Sequence, residues 1–84
     1  MYYVYVLKSL KDNKRYIGQS RDVPTRLRQH NAGSTASTRR RRPFELLYEE
    51  SYVTRAEAEA REKHLKTGKG REELNEILRS RDLL

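Results

Sequence analysis

Tyr2-Tyr3-Val4-Tyr5-Val6-Leu7 and Arg15-Tyr16-Ile17-Gly18-Gln19 are two short runs separated by the polar string Lys8-Ser9-Leu10-Lys11-Asp12-Asn13-Lys14. Aromatic and β-branched side chains suit a pleated, half-buried surface, and Asp12-Asn13 is good turn chemistry. The stretch therefore predicts a β-hairpin. Successive strand side chains point to opposite faces. Alternation sets Tyr3, Tyr5 and Leu7 on one face of the first strand and Tyr2, Val4 and Val6 on the other, while Tyr16, Gly18 and Ser20 share a face of the second. If the two tyrosine faces coincide, Tyr5 and Tyr16 become near neighbours, beside a glycine that leaves room for something to approach the sheet.

Downstream, Asp22 or Val23 is in place to cap a helix over residues 24–31, with Pro24 in its first turn and Gly33 at its end. Val23, Leu27 and Asn31 form a short stripe, and Arg26 and His30 lie side by side one turn apart. Residues 34–43 hold hydroxyls and the run Arg39-Arg40-Arg41-Arg42, with no apolar face to bury; they read as a loop, mobile without a partner. A third strand is expected over Phe44–Val53, with Glu49-Glu50-Ser51 as the place for a bulge. Thr54-Arg55-Ala56-Glu57 is a capping box, Val53 and Ala58 its staple, for a helix running to about Lys66. Gly68 and Gly70 read as stops before a last helix near Arg71–Ser80, whose Leu74, Ile77 and Leu78 share a side. This order, β-β-α-β-α-α, predicts an α+β fold: a three-stranded antiparallel sheet flanked by helices.

A chain of 84 residues builds one small domain, residues 1–84, with one modest core. Without cysteine there is no disulfide framework or thiolate metal site, which fits a cytoplasmic setting, and no His/Cys cluster suggests zinc. The apolar start is too short for a signal peptide, and no stretch approaches a membrane span, so no membrane partner is expected. The net charge of +7 is uneven. Residues 1–43 hold 11 Lys+Arg against 2 Asp+Glu, giving +9, and residues 44–84 hold 8 against 10, giving −2. A basic half beside a slightly acidic one fits a surface aimed at a polyanion, and equally a solvated surface.

Glu62 is the most informative acid, because Ala58, Glu62 and Leu65 fall on the apolar side of one helix. A carboxylate there needs a cation or donor, which Arg61, Lys63, Lys66 or a sheet arginine would supply as readily as a metal. Tyr5 and Tyr16 likewise read as a cross-strand aromatic pair or as a reactive one. Arg26 has Asp22 one turn away as an ordinary partner, His30 suits a helix C-terminus, and His64 is expected to be exposed.

The chain resembles the GIY-YIG nuclease superfamily, in the manner of its small single-domain, UvrC N-terminal-domain-like members. Tyr3-Val4-Tyr5 stands for the first triplet, with Tyr3 replacing its glycine, and Tyr16-Ile17-Gly18 matches the second in full after ten intervening residues. Arg26 matches the family's helix arginine, and His30-Asn31-Ala32-Gly33 its His-Asn-x-Gly. Thr38-Arg39 and Arg42-Pro43 match its loop, and Glu62 follows the Ala-containing acidic run of its metal-binding helix. Gln19 stands where some members have lysine.

This resemblance implies a metal-dependent DNA endonuclease of low sequence specificity, acting in DNA repair or recombination, with Tyr5, Tyr16, Arg26, His30 and Glu62 at the site. Glu62 would hold Mg2+ or Mn2+. Arg26 would clamp growing phosphate charge, and Tyr5 would act as base with help from the ion, Arg26 or His30. Arg21, Arg28, Thr38, Arg39, Arg40, Arg41 and Arg42 would bind substrate, and a protein partner would supply the specificity that related proteins draw from a second domain. The alternatives from other classes are a non-catalytic nucleic-acid-binding module on the same scaffold and a protein-interaction adaptor.

Overall fold

The computed structural model describes all 84 residues. The hairpin forms as β1 (Tyr2–Ser9) and β2 (Arg15–Ser20), with Asn13 in the left-handed region at φ 62° in its turn. Helix α1 (Val23–Ala32) follows, capped by the Asp22 carboxylate accepting from the Thr25 amide and closed by Gly33 at φ 81°. A single 3-10 turn spans Arg39–Arg41 and leads into β3 (Phe44–Tyr52). Helices α2 (Arg55–Leu65) and α3 (Gly68–Ser80) end the fold. The three strands are antiparallel in the order β2-β1-β3, so the fold is α+β in the expected order.

The central strand β1 is buried on both faces because each face carries its own core. Val4 and Val6 pack with Tyr48, Ala58, Leu65, Leu74 and Leu78 beneath α2 and α3. Tyr5 and Leu7 pack with Val23 and Phe44 beneath α1, with Tyr3, Tyr16 and Leu27 at the margin. Alternation along one strand thus sorts an aliphatic core from an aromatic one.

Several local expectations change. The irregularity in β3 falls at Leu47, the extra residue between the Val6–Tyr48 and Leu7–Leu46 pairs, and Glu49-Glu50-Ser51 pairs regularly. The capping box of α2 forms, but Val53 is 73% exposed and makes no staple with buried Ala58. Gly68 opens α3 instead of stopping α2, with the Thr67 hydroxyl accepting from the Gly70 amide. Gly70 is needed for close approach, since a Cβ there would sit 1.8 Å from the His64 carbonyl oxygen. The arginine segment is also not free. Ser9 Oγ donates to the Arg41 carbonyl, Lys11 Nζ to that of Arg40, and the Leu10 amide to that of Pro43. The Asn31 side chain clasps the Phe44 backbone, donating to its carbonyl at 3.0 Å and accepting from its amide at 2.7 Å.

Candidate active site

Tyr5 lies at the middle of β1, opposite Gly18 and diagonal to Tyr16, which faces Leu7. Its phenol is only 1% exposed. A Cβ at Gly18 would fall 2.6 Å from the Tyr5 hydroxyl oxygen, 2.8 Å from its Cζ and 3.1 Å from Tyr16 Cε1. The space expected to admit a ligand is therefore filled by the protein's own two tyrosines. The Tyr5 and Tyr16 rings stand 6.3 Å apart, and Tyr16 packs edge-on against His30 at 4.9 Å.

His30 is fully buried at the end of α1, with one partner for each ring nitrogen. Thr38 Oγ1 lies 2.8 Å from Nδ1, and the Tyr5 hydroxyl lies 3.1 Å from Nε2. The Thr38 hydroxyl also reaches the Thr35 carbonyl at 3.4 Å, which can only accept. With its single proton aimed there, Thr38 accepts from Nδ1–H, which leaves the Nε2 lone pair to accept from Tyr5. Burial, and then the nearby Arg26 charge, hold the His30 pKa below its usual value, so the imidazole is neutral at pH 7. Burial raises the Tyr5 phenol above 10.0, opposed by the Arg26 guanidinium beside it and reinforced by the charges of Tyr16 and Glu62. At rest the pair is a phenol facing a free imidazole lone pair.

Arg26 has no carboxylate partner; its guanidinium donates to Gln29 Oε1, while Asp22 is engaged in capping. Glu62 is on the half-buried side of α2, its side chain 19% exposed, with Oε2 accepting from Lys66 Nζ at 2.7 Å. Lys66 is thus the cation that the carboxylate needed. No protein donor reaches Oε1, and no three acidic or histidine side chains converge here. One carboxylate with an open oxygen suits a hard divalent ion that keeps most of its water, so the residues present fit magnesium or manganese.

The residues expected to bind substrate divide. Arg21, Arg28, Arg39, Arg40 and Arg42 are exposed. Thr38 is not accessible, because it is wholly buried against His30. Arg41 is half-buried and held by Asp12 at 3.2 Å, the Arg15 carbonyl and the Phe44 ring, which removes it from the free arginine surface.

The family model for the GIY-YIG catalytic domain matches residues 1–75. The chain belongs to the GIY-YIG family. A UPF0213 protein of Staphylococcus haemolyticus is 40% identical over 77 residues, covering 90% of this chain and 93% of the relative. A UPF0213 protein of Staphylococcus aureus is 42% identical over 67 residues, covering 79% and 80%. The solution NMR structure of a UPF0213 protein from Bacillus halodurans superposes with a TM-score of 0.55 at 32% identity, covering 92% of this chain and 85% of that one.

This GIY-YIG fold also holds a second polar cluster, centred on Glu50. Glu50 accepts from the hydroxyls of Tyr48 (2.5 Å) and Tyr52 (2.6 Å) and from Arg61 through two bonds (2.8 and 3.1 Å). His64, expected to be exposed, is partly covered and bonded to Glu73 at 2.7 Å. Arg61, one of the cations considered for Glu62, is engaged by Glu50 instead. The alternation of Tyr48, Glu50 and Tyr52 along β3 was the available signal, since residues two apart share a strand face.

Proposed function

We propose that this chain is a divalent-metal-dependent DNA endonuclease of low sequence specificity. The observation that carries the reading is the buried Tyr5–His30–Thr38 chain of hydrogen bonds, with unpaired Arg26 beside it. A water attacking phosphorus must lose a proton, and a buried phenol with a raised pKa is a poor base alone. His30 removes the difficulty. As Tyr5 takes the water's proton, its own phenolic proton passes to His30 Nε2, so no free phenolate forms in the buried site. Thr38 keeps the imidazole in the accepting tautomer. Arg26 offers a planar fork to the phosphate as negative charge grows on its oxygens. Glu62 would hold a divalent ion, which would supply positive charge at the phosphate. The P–O bond that breaks leaves an alcohol on one fragment and a phosphate monoester on the other. Exposed Arg39, Arg40 and Arg42 hold backbone without reading bases.

A second reading, a binding module without catalysis, rests on the Glu62–Lys66 pair, which already neutralises the proposed metal ligand. Supercoiled, single-stranded and branched DNA, each with magnesium, with manganese and with chelator, decide between them. The nuclease reading expects metal-dependent cutting that Glu62→Ala abolishes while binding is retained. Salt-sensitive binding without cutting by the native chain would favour the module.

A further inference from the structure

A concavity of about 930 Å³ lies apart from Tyr5, Arg26 and His30. It is a groove lined by residues of the hairpin, α3 and the segment after α3, and it reaches the cluster only at Tyr16. Its rim carries Lys8, Lys14, Arg15, Lys66, Arg71 and Arg79, and none of its 14 lining residues is Asp or Glu. Lys66 is paired with Glu62, Arg79 with Glu76, and Arg15 donates to Asn75 Oδ1 at 2.6 Å. Lys8, Lys14 and Arg71 enter none of the protein's ion pairs, so three like charges line one cleft with no salt-bridge partner. Between them the lining is apolar, with Ile17, Leu47 and Leu74.

We infer that this groove binds a segment of nucleic acid with unpaired bases, a second contact surface separate from the Arg39–Arg42 segment. The inference rests on the nuclease reading for its ligand class. A cationic rim asks for phosphates, and an apolar floor asks for a flat apolar face. A duplex offers the first and hides the second in its stack, whereas an unpaired strand offers both. Tyr16 lines the groove while its ring packs on His30 at 4.9 Å on the other face of the sheet, so the edge strand β2 is what separates the groove from the proposed site. Lys66 joins the two regions from the other side. A phosphate in the groove competes with Glu62 for the ammonium group and frees the second carboxylate oxygen.

The test is equilibrium binding by fluorescence anisotropy in chelator, where no cleavage intervenes. The ligands are a labelled oligothymidylate of about twelve nucleotides and a blunt duplex of similar length. The double variant Lys14→Gln/Arg71→Gln alters two exposed side chains, and its fold is checked by circular dichroism. Its log–log salt slope for oligothymidylate should fall by about 1.4, two contacts at about 0.7 each, with affinity down about tenfold. Duplex binding should hold within about twofold, while Arg39→Gln/Arg40→Gln should weaken duplex binding more. Equal loss on both ligands, or no loss on oligothymidylate, would overturn the groove assignment. So would displacement of oligothymidylate by polyglutamate as readily as by itself, since the groove would then read charge alone. Failure of the native chain to bind either nucleic acid would instead overturn the nuclease reading beneath it.

Discussion

Gly18→Ala is a one-carbon test of the aromatic cluster. The new methyl carbon would fall 2.6 Å from the Tyr5 hydroxyl and 2.8 Å from Cζ, both well inside van der Waals contact. Backbone movement cannot relieve this, because Gly18 is paired across from Tyr5 itself in the β1–β2 ladder. The phenol must move instead, and it is 1% exposed and bonded to His30. Shifting it either strains the packing, at about 1–3 kcal/mol, or breaks the hydrogen bond and strands a buried polar group at similar cost. For a chain of this size, about 1–3 kcal/mol corresponds to a fall in Tm of between about 4 and about 24 °C. Thermal unfolding by circular dichroism measures the fall, and the His30 ring nitrogen shifts report whether Nε2 has lost its donor. Tyr5→Phe removes both the hydroxyl that the new methyl would meet and its bond to His30, so the double variant should fall by less than the sum of the singles. An unchanged Tm with native His30 shifts, or strict additivity in the double variant, would refute the placement of Tyr5 over Gly18.

Tyr5→Phe should slow single-turnover cleavage by about 10²–10⁴, the usual worth of a general base, with oligonucleotide affinity unchanged. Thr38→Ala should release the His30 tautomer, with both ring nitrogens sharing the proton in 15N spectra and cleavage reduced, and Thr38→Ser should restore both. Stability should fall as pH drops through about 6.5, because the unfolded chain then takes up a proton that buried His30, with its lowered pKa, refuses. Above that pH its contribution is fully present. Urea midpoints at about pH 7.5 and about pH 5.5 measure the difference, and His30→Gln should flatten it. Glu50 titrates in another window. Burial raises its pKa, but Arg61, Tyr48 and Tyr52 outweigh that and hold it below 4.5, so its contribution is lost only under more acid conditions.

The fold was legible wherever a local rule acts alone. The hairpin, the Asp22 and Thr54 caps and Gly33 follow from side chains within a few residues of one another. What failed had a distant cause. Gly68 and Gly70 look like helix stops, yet Gly70 is set by the carbonyl of His64 on the preceding helix, and that contact exists only once α2 and α3 pack. The arginine segment looks mobile because it lacks apolar residues, but Ser9, Lys11, His30 and Asn31 anchor it through hydrogen bonds, which leave no periodic trace. Within the cluster, alternation brought Tyr5 and Tyr16 together, and the helical repeat brought Arg26 and His30. In the sequence Thr38 looks like a substrate contact, because nothing in a hydroxyl-rich loop says which oxygen turns inward.

The two polar clusters show why tyrosine alone predicts so little. Tyr48 and Tyr52 donate to the Glu50 carboxylate, and burial together with that negative charge pushes both up to about 12. Neither can yield its proton to Glu50 usefully, because Arg61 holds that carboxylate below its ordinary range. Those phenols hold the Glu50 carboxylate, whose two bonds to Arg61 fasten β3 to α2. Tyr5 is buried too, but its acceptor is a neutral imidazole whose other nitrogen is satisfied by Thr38. A neutral imidazole with a free lone pair can take a proton transiently and return it, which a carboxylate held by arginine cannot. The distinction lies in the partner, and it is measurable. Replacing Glu50 with Gln should lower stability and leave the chemistry of the Tyr5 cluster intact, whereas replacing His30 with Gln should keep a hydrogen bond to Tyr5 and remove the proton acceptor. Cleavage lost in Glu50→Gln beyond its loss of folded protein, or kept in His30→Gln, would show that the division of labour between the two faces of the sheet is wrong.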